Sequence, residues 1–137
     1  MTIDKFAEKL IAKLKQHGIT IQYYHAVTTN SIYLKLDYGV LNTIRISDHK
    51  GKANLSYRYN FAKNISGTKL QRLRGKGDLP RFFAPFCRLD DMVNVILHDR
   101  DDKYKKLGGV AGYEEAMRLE FVVNDGRKGF WSSYQFV

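Results

Sequence analysis

The chain has 137 residues, of which 44% are hydrophobic and 13% aromatic, which is enough for one domain with a buried core and argues against a disordered protein. Its single cysteine excludes an internal disulfide and a thiolate-rich zinc site, and it favours a reducing compartment. No signal-peptide pattern and no apolar run of membrane-spanning length is present, so we expect a soluble, cytoplasmic, single-domain protein over residues 1–137. The formal charge of +9 favours an anionic partner.

The first part of the chain predicts one helix followed by an antiparallel sheet. Apolar residues recur at helical spacing from Ile3 to Leu14, with Thr2 or Asp4 as the N-terminal cap and Gly18 as the stop. Four alternating segments then predict strands: Ile19–His25, Ser31–Asp37, Val40–Ser47 and Ala53–Phe61. The short turns between them favour a meander, which the helix would cover on one face.

After Phe61 the alternation stops. Residues 62–81 are rich in basic residues and glycine, and they predict a surface excursion, which we call the basic segment. Residues Arg81 to Phe86 predict either a short strand or a docking segment. Residues Arg88 to Gly109 predict a second helix that ends at the glycine pair.

The tail of the chain has two interpretations. Residues 113–123 begin with helix-forming residues, yet Met117, Leu119, Phe121 and Val123 alternate as in a strand. With 124–129 as a turn and 130–137 as a second strand, we favour a closing hairpin. The predicted fold is therefore α+β: an antiparallel sheet of four or more strands, an N-terminal helix, a second helix and a C-terminal hairpin.

The net charge is concentrated in the central third of the sequence. Between Arg45 and Arg88 there are eleven basic and two acidic residues, whereas the rest of the chain has twelve of each. Concentrated charge is more typical of an anionic partner than of solubility alone. Nine of these cations form the predicted binding surface: Arg45, Lys50, Lys52, Arg58, Lys69, Arg72, Arg74, Lys76 and Arg81.

The predicted surface has two parts, and each has a plainer alternative. In the hairpin from Val40 to Phe61 the arginines lie on the polar face and the lysines at the tip, where they would hold phosphates or would simply be solvated. In the basic segment, glycines between the cations let the backbone approach a phosphate closely; the alternative is a solvated loop. Four aromatic residues could stack on bases: Tyr57, Tyr59, Trp131 and Tyr134. A place in the core is favoured for Tyr57, Tyr59 and Trp131.

The evidence for catalysis is thin. No two of the four histidines have the helical i, i+4 spacing of a metal-ligand pair, and no nucleotide-binding glycine loop is present. A metal-dependent nuclease, the alternative from a different functional class, would use Asp99, Asp101 or Asp102. Such a nuclease needs a carboxylate and then an acid-x-lysine on the next strand, and the sequence does not give that spacing on clean strands, so we interpret these residues as an exposed acidic helix end. We expect no enzymatic activity, metal or cofactor.

The stretch "SIYLKLDYGVLNTIRISDHKG", from Ser31 to Gly51, resembles a strand–turn–strand element of small accessory proteins from phages and mobile elements of Gram-positive bacteria. Some proteins of that kind are anti-CRISPR inhibitors of RNA-guided nucleases. The resemblance implies a small protein without an enzymatic site, acting in the cytoplasm of a bacterial host, that blocks a nucleoprotein by occupying a nucleic-acid channel or a nuclease domain. Many such inhibitors are acidic, whereas this chain is basic.

Together these observations predict a non-enzymatic protein that binds nucleic acid or a nucleic-acid-handling protein through its basic surface. Its most concrete form is an inhibitor of a CRISPR effector complex. The alternative within the same class is a stand-alone DNA- or RNA-binding accessory protein.

Overall fold

The computed structural model describes residues 2–26, 30–47, 54–58, 81–85, 88–124 and 135–137, and at positions 54–56, 58, 81–85, 123 and 124 it describes the backbone alone. The fold is α+β, as predicted. Its elements in chain order are α1 (Ile3–Gln16), β1 (Ile21–Ala26), β2 (Ser31–Leu36), a 3₁₀ turn (Asp37–Gly39), β3 (Thr43–Ser47), β4 (Asn54–Arg58), β5 (Arg81–Pro85), α2 (Leu89–Leu107), α3 (Val110–Asn124) and β6 (Gln135–Phe136).

Helix α1 forms where the apolar periodicity predicts it. The Thr2 hydroxyl caps the helix by accepting a hydrogen bond from the Lys5 amide at 3.3 Å. Gly18 adopts a left-handed backbone (φ 74°) just after the helix ends. One side of the helix is buried, at Ile3, Phe6, Ala7, Leu10 and Leu14. The predicted first helix, its cap and its stop are therefore confirmed.

The sheet is antiparallel, with the strand order β5-β4-β3-β2-β1-β6. Strands β1 to β4 follow one another as the predicted meander. Residues Arg81–Pro85 form β5, which pairs with β4. Of the two predictions for this segment, a short strand or a docking segment, the strand is therefore confirmed. The predicted second helix is confirmed as α2.

One face of the sheet packs against α1 and α2, and we call it the helix face. It contributes side chains that are completely buried: Ile32, Leu34, Leu36, Ile44, Ile46 and Tyr57. From the helices, Leu10, Leu14, Met92 and Ile96 pack into the same cluster. Burying this apolar area is the main stabilising contribution, and it fixes the register because a shift of one residue would turn every apolar strand residue away from the helices.

The connection between β2 and β3, residues 37–42, has an unusual backbone. Asp37, Tyr38 and Asn42 have positive φ values of 48°, 57° and 68°, and Gly39 has 94°. Aspartate and asparagine tolerate this region better than other non-glycine residues, whereas a tyrosine there is uncommon. Such a backbone persists only where the surroundings hold it. We call these residues the 37–42 turn.

Asp37 connects the 37–42 turn to β1 and α3. It is 3% exposed. Its Oδ1 accepts from the Thr20 amide at 2.8 Å, and its own amide donates to the Thr20 carbonyl at 2.8 Å. Its Oδ2 accepts from the Tyr113 hydroxyl at 2.5 Å. The carboxylate therefore links helix α3 and the start of β1 to the end of β2.

Asn42 connects the other end of the turn to α2. Its Nδ2 donates to Asp99 Oδ2 at 2.9 Å and to the Tyr57 hydroxyl oxygen at 3.1 Å. The Tyr57 hydroxyl in turn lies 2.5 Å from Asp99 Oδ2 and 3.0 Å from the Leu41 carbonyl oxygen. A buried group of this kind is stabilising because every member has a partner.

The predicted C-terminal hairpin is wrong in its first arm, because residues 110–124 form helix α3. Gly108 and Gly109 have positive φ values of 85° and 98°, which let the chain end one helix and start the next. The Tyr113 ring packs edge-on against Tyr104 with ring centroids 4.9 Å apart. The alternation in this segment marks no sheet face, since Leu119 and Phe121 are 50% and 46% exposed.

Of the predicted second arm, the structure describes residues 135–137. Gln135 and Phe136 form β6, which pairs with β1 rather than with residues 117–123. Within the described part of the chain, no helix combines the length and the apolar character that a membrane crossing needs.

The buried Asp37 carboxyl gives stability a specific pH dependence. Burial raises the pKa of Asp37 above its usual 3.8, and the hydrogen bonds from Tyr113 and Thr20 and the charge of Arg100 oppose this rise. The folded state therefore binds more protons than the unfolded state between the two pKa values. Consequently this carboxyl lowers the free energy of unfolding as pH rises from about 3.8 through the folded-state pKa.

We expect Asp37→Asn, which keeps the shape and tolerates the positive φ, to remove this loss. The free energy of unfolding of this variant, measured by urea denaturation from acid to neutral pH, should increase relative to that of the wild type as pH rises. Asp101→Asn, at an exposed position of α2, controls for the loss of one negative charge. A constant difference between wild type and Asp37→Asn across this range would contradict the assignment.

Candidate nucleic-acid interface

The face of the sheet opposite the helices is polar and aromatic, and we call it the polar face. Alternation along the strands places Tyr33 of β2 and Arg45 of β3 on it, because their neighbours Ile32, Leu34, Ile44 and Ile46 belong to the helix face. Tyr24 of β1 pairs directly with Tyr33 and therefore lies on the same face. The predicted strand pattern is therefore correct about which residues of β2 and β3 enter the core.

Three side chains form a line across the polar face, which we call the aromatic–arginine row: Tyr24, Tyr33 and Arg45. Tyr24 pairs with Tyr33, and Tyr33 pairs with Arg45, in the backbone register. The two tyrosine ring centroids are 6.5 Å apart with an interplanar angle of 35°. The Arg45 guanidinium carbon lies 5.9 Å from the centroid of the Tyr33 ring. All three side chains are half-buried.

Arg45 is held in position by neutral partners. Its Nε and Nη2 donate to the Ser31 hydroxyl oxygen at 3.1 and 3.0 Å, and Ser31 itself is fully buried. Among the residues that the structure describes, no carboxylate lies within ion-pair distance of Arg45. These bonds use Nε and Nη2 of the guanidinium, whose remaining N–H groups are of the kind that binds anions.

Two further predicted cations, Arg58 of β4 and Arg81 of β5, have backbone positions close to this row. Arg45 pairs with Ser56, and Arg58, two residues further along β4, pairs with Arg81 of β5. The strand period of two assigns positions 58 and 81 to the polar face together with Arg45. The sheet thus brings three positions together that are up to 36 residues apart in sequence.

The remaining six predicted cations, Lys50, Lys52, Lys69, Arg72, Arg74 and Lys76, lie outside the described residues. So do Tyr59, Trp131 and Tyr134. The structure also places one cation on the polar face that we did not predict, Lys35. It is only 3% exposed, and its Cε lies against Gly39, so it is part of the protein interior rather than of a contact surface.

Of the aromatic residues considered for stacking, Tyr57 alone lies in the described part of the chain. Tyr57 is completely buried on the helix face, which confirms the favoured core position and removes it as a stacking residue. Among the residues that the structure describes, the tyrosines on the polar face are Tyr24 and Tyr33. Tyr33 has the opposite strand parity to its apolar neighbours Ile32 and Leu34, which is a signal in the sequence, whereas the place of Tyr24 and the alignment of both rings with Arg45 follow only from the pairing register.

The carboxylates considered for a nuclease have other surroundings. Asp99 is bound to Asn42 and Tyr57, as described above, and its side chain is 16% exposed, so the predicted exposed acidic end does not hold for this residue. Asp102 lies 3.5 Å from the His98 Nδ1. An open cavity of about 400 Å³ is lined by five residues of α2: Asn94, Val95, His98, Asp99 and Asp102. In the described ranges no three metal-ligating side chains come together.

Comparison of the chain with protein-family models, with curated proteins and with solved structures finds no match.

The core position of Tyr57 can be tested separately from any binding role. We expect Tyr57→Phe to lower the free energy of unfolding by about 1–3 kcal/mol, because Asp99 and Asn42 lose a buried hydrogen-bond partner. It should leave nucleic-acid affinity unchanged. The measurement is urea denaturation, followed by a binding assay on the folded variant.

Tyr38→Phe is the matched control. Tyr38 contacts Phe121 and Phe136 through its ring, with centroids 5.4 and 6.0 Å away, and the substitution keeps both contacts. Its effect should stay within about 0.5 kcal/mol. If the two variants were equally stable, the polar group around Asp99 would not contribute to stability.

Proposed function

We propose that the protein binds nucleic acid, free or within a nucleoprotein, through the polar face of its sheet and the basic segment, and that it carries out no chemistry on its ligand. The observation that carries the proposal is Arg45. It is a half-buried arginine, oriented by Ser31 and Tyr33, with no carboxylate near it in the described part of the chain.

An arginine held in this way suits a phosphate for two reasons. Its planar fork matches two phosphate oxygens at once. Because Ser31 and the Tyr33 ring already restrict the side chain, less conformational entropy is lost when a ligand binds. An arginine kept only for solubility would need neither partner.

The distribution of charge supports an extended ligand rather than a single anion. The whole net charge of +9 arises between Arg45 and Arg88, and positions 58 and 81 share the polar face with Arg45 by register. A row of cations along one face follows the repeated phosphates of a nucleic-acid backbone. About five phosphate contacts would give a log–log slope of affinity against salt near −4 to −5.

The resemblance of residues 31–51 to phage accessory proteins adds a more concrete form of the proposal. In that form the ligand is the guide or target strand of an RNA-guided nuclease, and occupying it inhibits the effector. A stand-alone DNA- or RNA-binding accessory role uses the same surface on free nucleic acid.

Arg45→Gln tests the described part of the surface. We expect it to weaken binding to a fluorescent oligonucleotide by about tenfold, because a charge-assisted hydrogen bond contributes about 1.5–3 kcal/mol. The salt slope should become shallower by about one. Fluorescence anisotropy at low and near-physiological salt measures both quantities.

Lys9→Gln is the matched control, since it removes the same charge from an exposed position on α1, in the helical layer. Equal losses in Arg45→Gln and Lys9→Gln would mean that only net charge matters, and the proposed surface would then be wrong.

Charge reversal at Arg72 and Arg74 tests the basic segment. We expect the double change to Glu to weaken binding more strongly than Arg45→Gln and to leave the melting temperature nearly unchanged, because surface substitutions rarely affect stability. Anisotropy and thermal denaturation on the same preparation provide the comparison. A large fall in melting temperature would assign these arginines a structural role instead.

A further inference from the structure

Helix α3 has apolar side chains on its outer side as well as on the side that packs against the protein. Tyr113 is buried, whereas four other apolar side chains of the helix are about half exposed: Val110, Leu119, Phe121 and Val122. A helix with apolar residues all round is normally buried all round. Exposed apolar surface that is contiguous marks a contact with another molecule.

Three exposed residues form a strip along one side of α3. Val110, Glu114 and Phe121 have the spacing i, i+4, i+11, which places them on the same side of a helix. Leu119 lies on the opposite side. We call Val110, Glu114 and Phe121 the α3 strip.

The α3 strip continues onto the sheet through Tyr38. The Tyr38 ring meets two phenylalanine rings edge-on, with centroids 5.4 Å from Phe121 and 6.0 Å from Phe136. Phe136 is 58% exposed and belongs to β6, the last strand at this edge of the sheet. Asparagine or glycine would fit the positive φ of Tyr38 with less strain, so what this position provides is the ring.

The charge of α3 is opposite in sign to that of the whole chain. The helix carries three glutamates and one arginine, whereas the chain has a formal charge of +9. The arginine, Arg118, already donates to both carboxylate oxygens of Glu115, at 3.0 and 2.6 Å. In the described ranges no cation lies within ion-pair distance of Glu114. The α3 strip therefore combines apolar side chains with a carboxylate that the described residues leave unpaired.

This combination distinguishes between possible occupants. Nucleic acid and anionic lipid are both repelled by the net negative charge of α3. A second copy bound about a two-fold axis would bring two copies of the same acidic surface together. A positively charged protein segment with large apolar side chains matches both properties, because its cations meet Glu114 and its apolar residues cover Phe121 and Phe136.

We infer that the α3 strip, together with Tyr38 and Phe136, is a docking surface for a basic amphipathic segment of a partner protein. Proteins that handle nucleic acid commonly carry basic segments. The surface includes neither Arg45 nor the basic segment of this chain, so it goes beyond the proposed function and can be tested apart from it.

The test selects peptides on the full chain. A displayed library of short random peptides is selected on the wild type, and sequences that bind Phe121→Ser equally well are discarded, which removes ligands of other surfaces. We expect the remaining sequences to combine net positive charge with large apolar residues. If they are neutral or acidic, or if none remains, the inference is wrong.

Residues that took no part in the selection then test the extent of the surface, with a selected peptide labelled for anisotropy. Phe136→Ser should weaken binding about tenfold or more, because exposed aromatic residues contribute most to such interfaces. Leu119→Ser, on the opposite side of α3, should not. Glu114→Gln should weaken binding about threefold or more, whereas Glu8→Gln, which removes the same charge from an exposed position of α1, should not. Equal effects within either pair would contradict the assigned surface.

Crosslinking on the wild type replaces any serine variant that thermal denaturation shows to be unfolded. A carbodiimide joins a carboxylate to a lysine that contacts it, and peptide mapping identifies the joined residues. We expect a lysine-containing selected peptide to be joined to Glu114. A map without Glu114 would overturn the inference.

Two further outcomes would assign the surface to another occupant and overturn the docking of a partner protein. One is a dimer in sedimentation velocity that Phe121→Ser dissociates, which would assign the strip to a second copy. The other is a loss of oligonucleotide binding in Phe121→Ser, which would assign it to the nucleic-acid interface. Failure of the peptide selection alone would leave the proposed nucleic-acid binding in place.

Discussion

Asp37 and Asn42 hold the two ends of the 37–42 turn through buried hydrogen bonds, and these bonds join the sheet to both C-terminal helices, α2 and α3. The turn sets how β2 pairs with β3. At one end Asp37 attaches α3 through Tyr113, and at the other Asn42 attaches α2 through Asp99. Three non-glycine residues at positive φ are stable there because these buried bonds compensate for the backbone cost.

The same constraint separates the two faces of the sheet. Once β2 and β3 are in register, their apolar residues all point to α1 and α2, and Tyr33 and Arg45 become neighbours on the opposite side. Stability and the proposed binding function therefore use different faces of the same strands. This separation is why substitutions on the polar face can alter a ligand contact without opening the core.

The apolar patterns in the sequence predicted the structure correctly wherever the buried residues recur with a regular period. Helix α1 and the β2 and β3 strands bury the residues that the periods of 3.6 and 2 select, and Thr2 and Gly18 mark the helix ends. The pattern failed for α3, where Leu119 and Phe121 alternate with polar residues but stay exposed. The buried hydrogen bond of Tyr113 with Asp37 helps to position that helix, and it joins residues 76 apart that no local window contains.

The sequence by itself determined the α+β class, the central meander, the two helices before Gly108 and the location of the net charge, because these depend on residue type and local period. The tertiary structure alone decided that Asp99 belongs to a buried polar group and that Tyr57 faces the core while Tyr24 and Tyr33 do not. It also decided which cation stands beside those rings. Such neighbours are set by strand register, and register is fixed by the turn and by the packing of the whole helix face rather than by either strand alone.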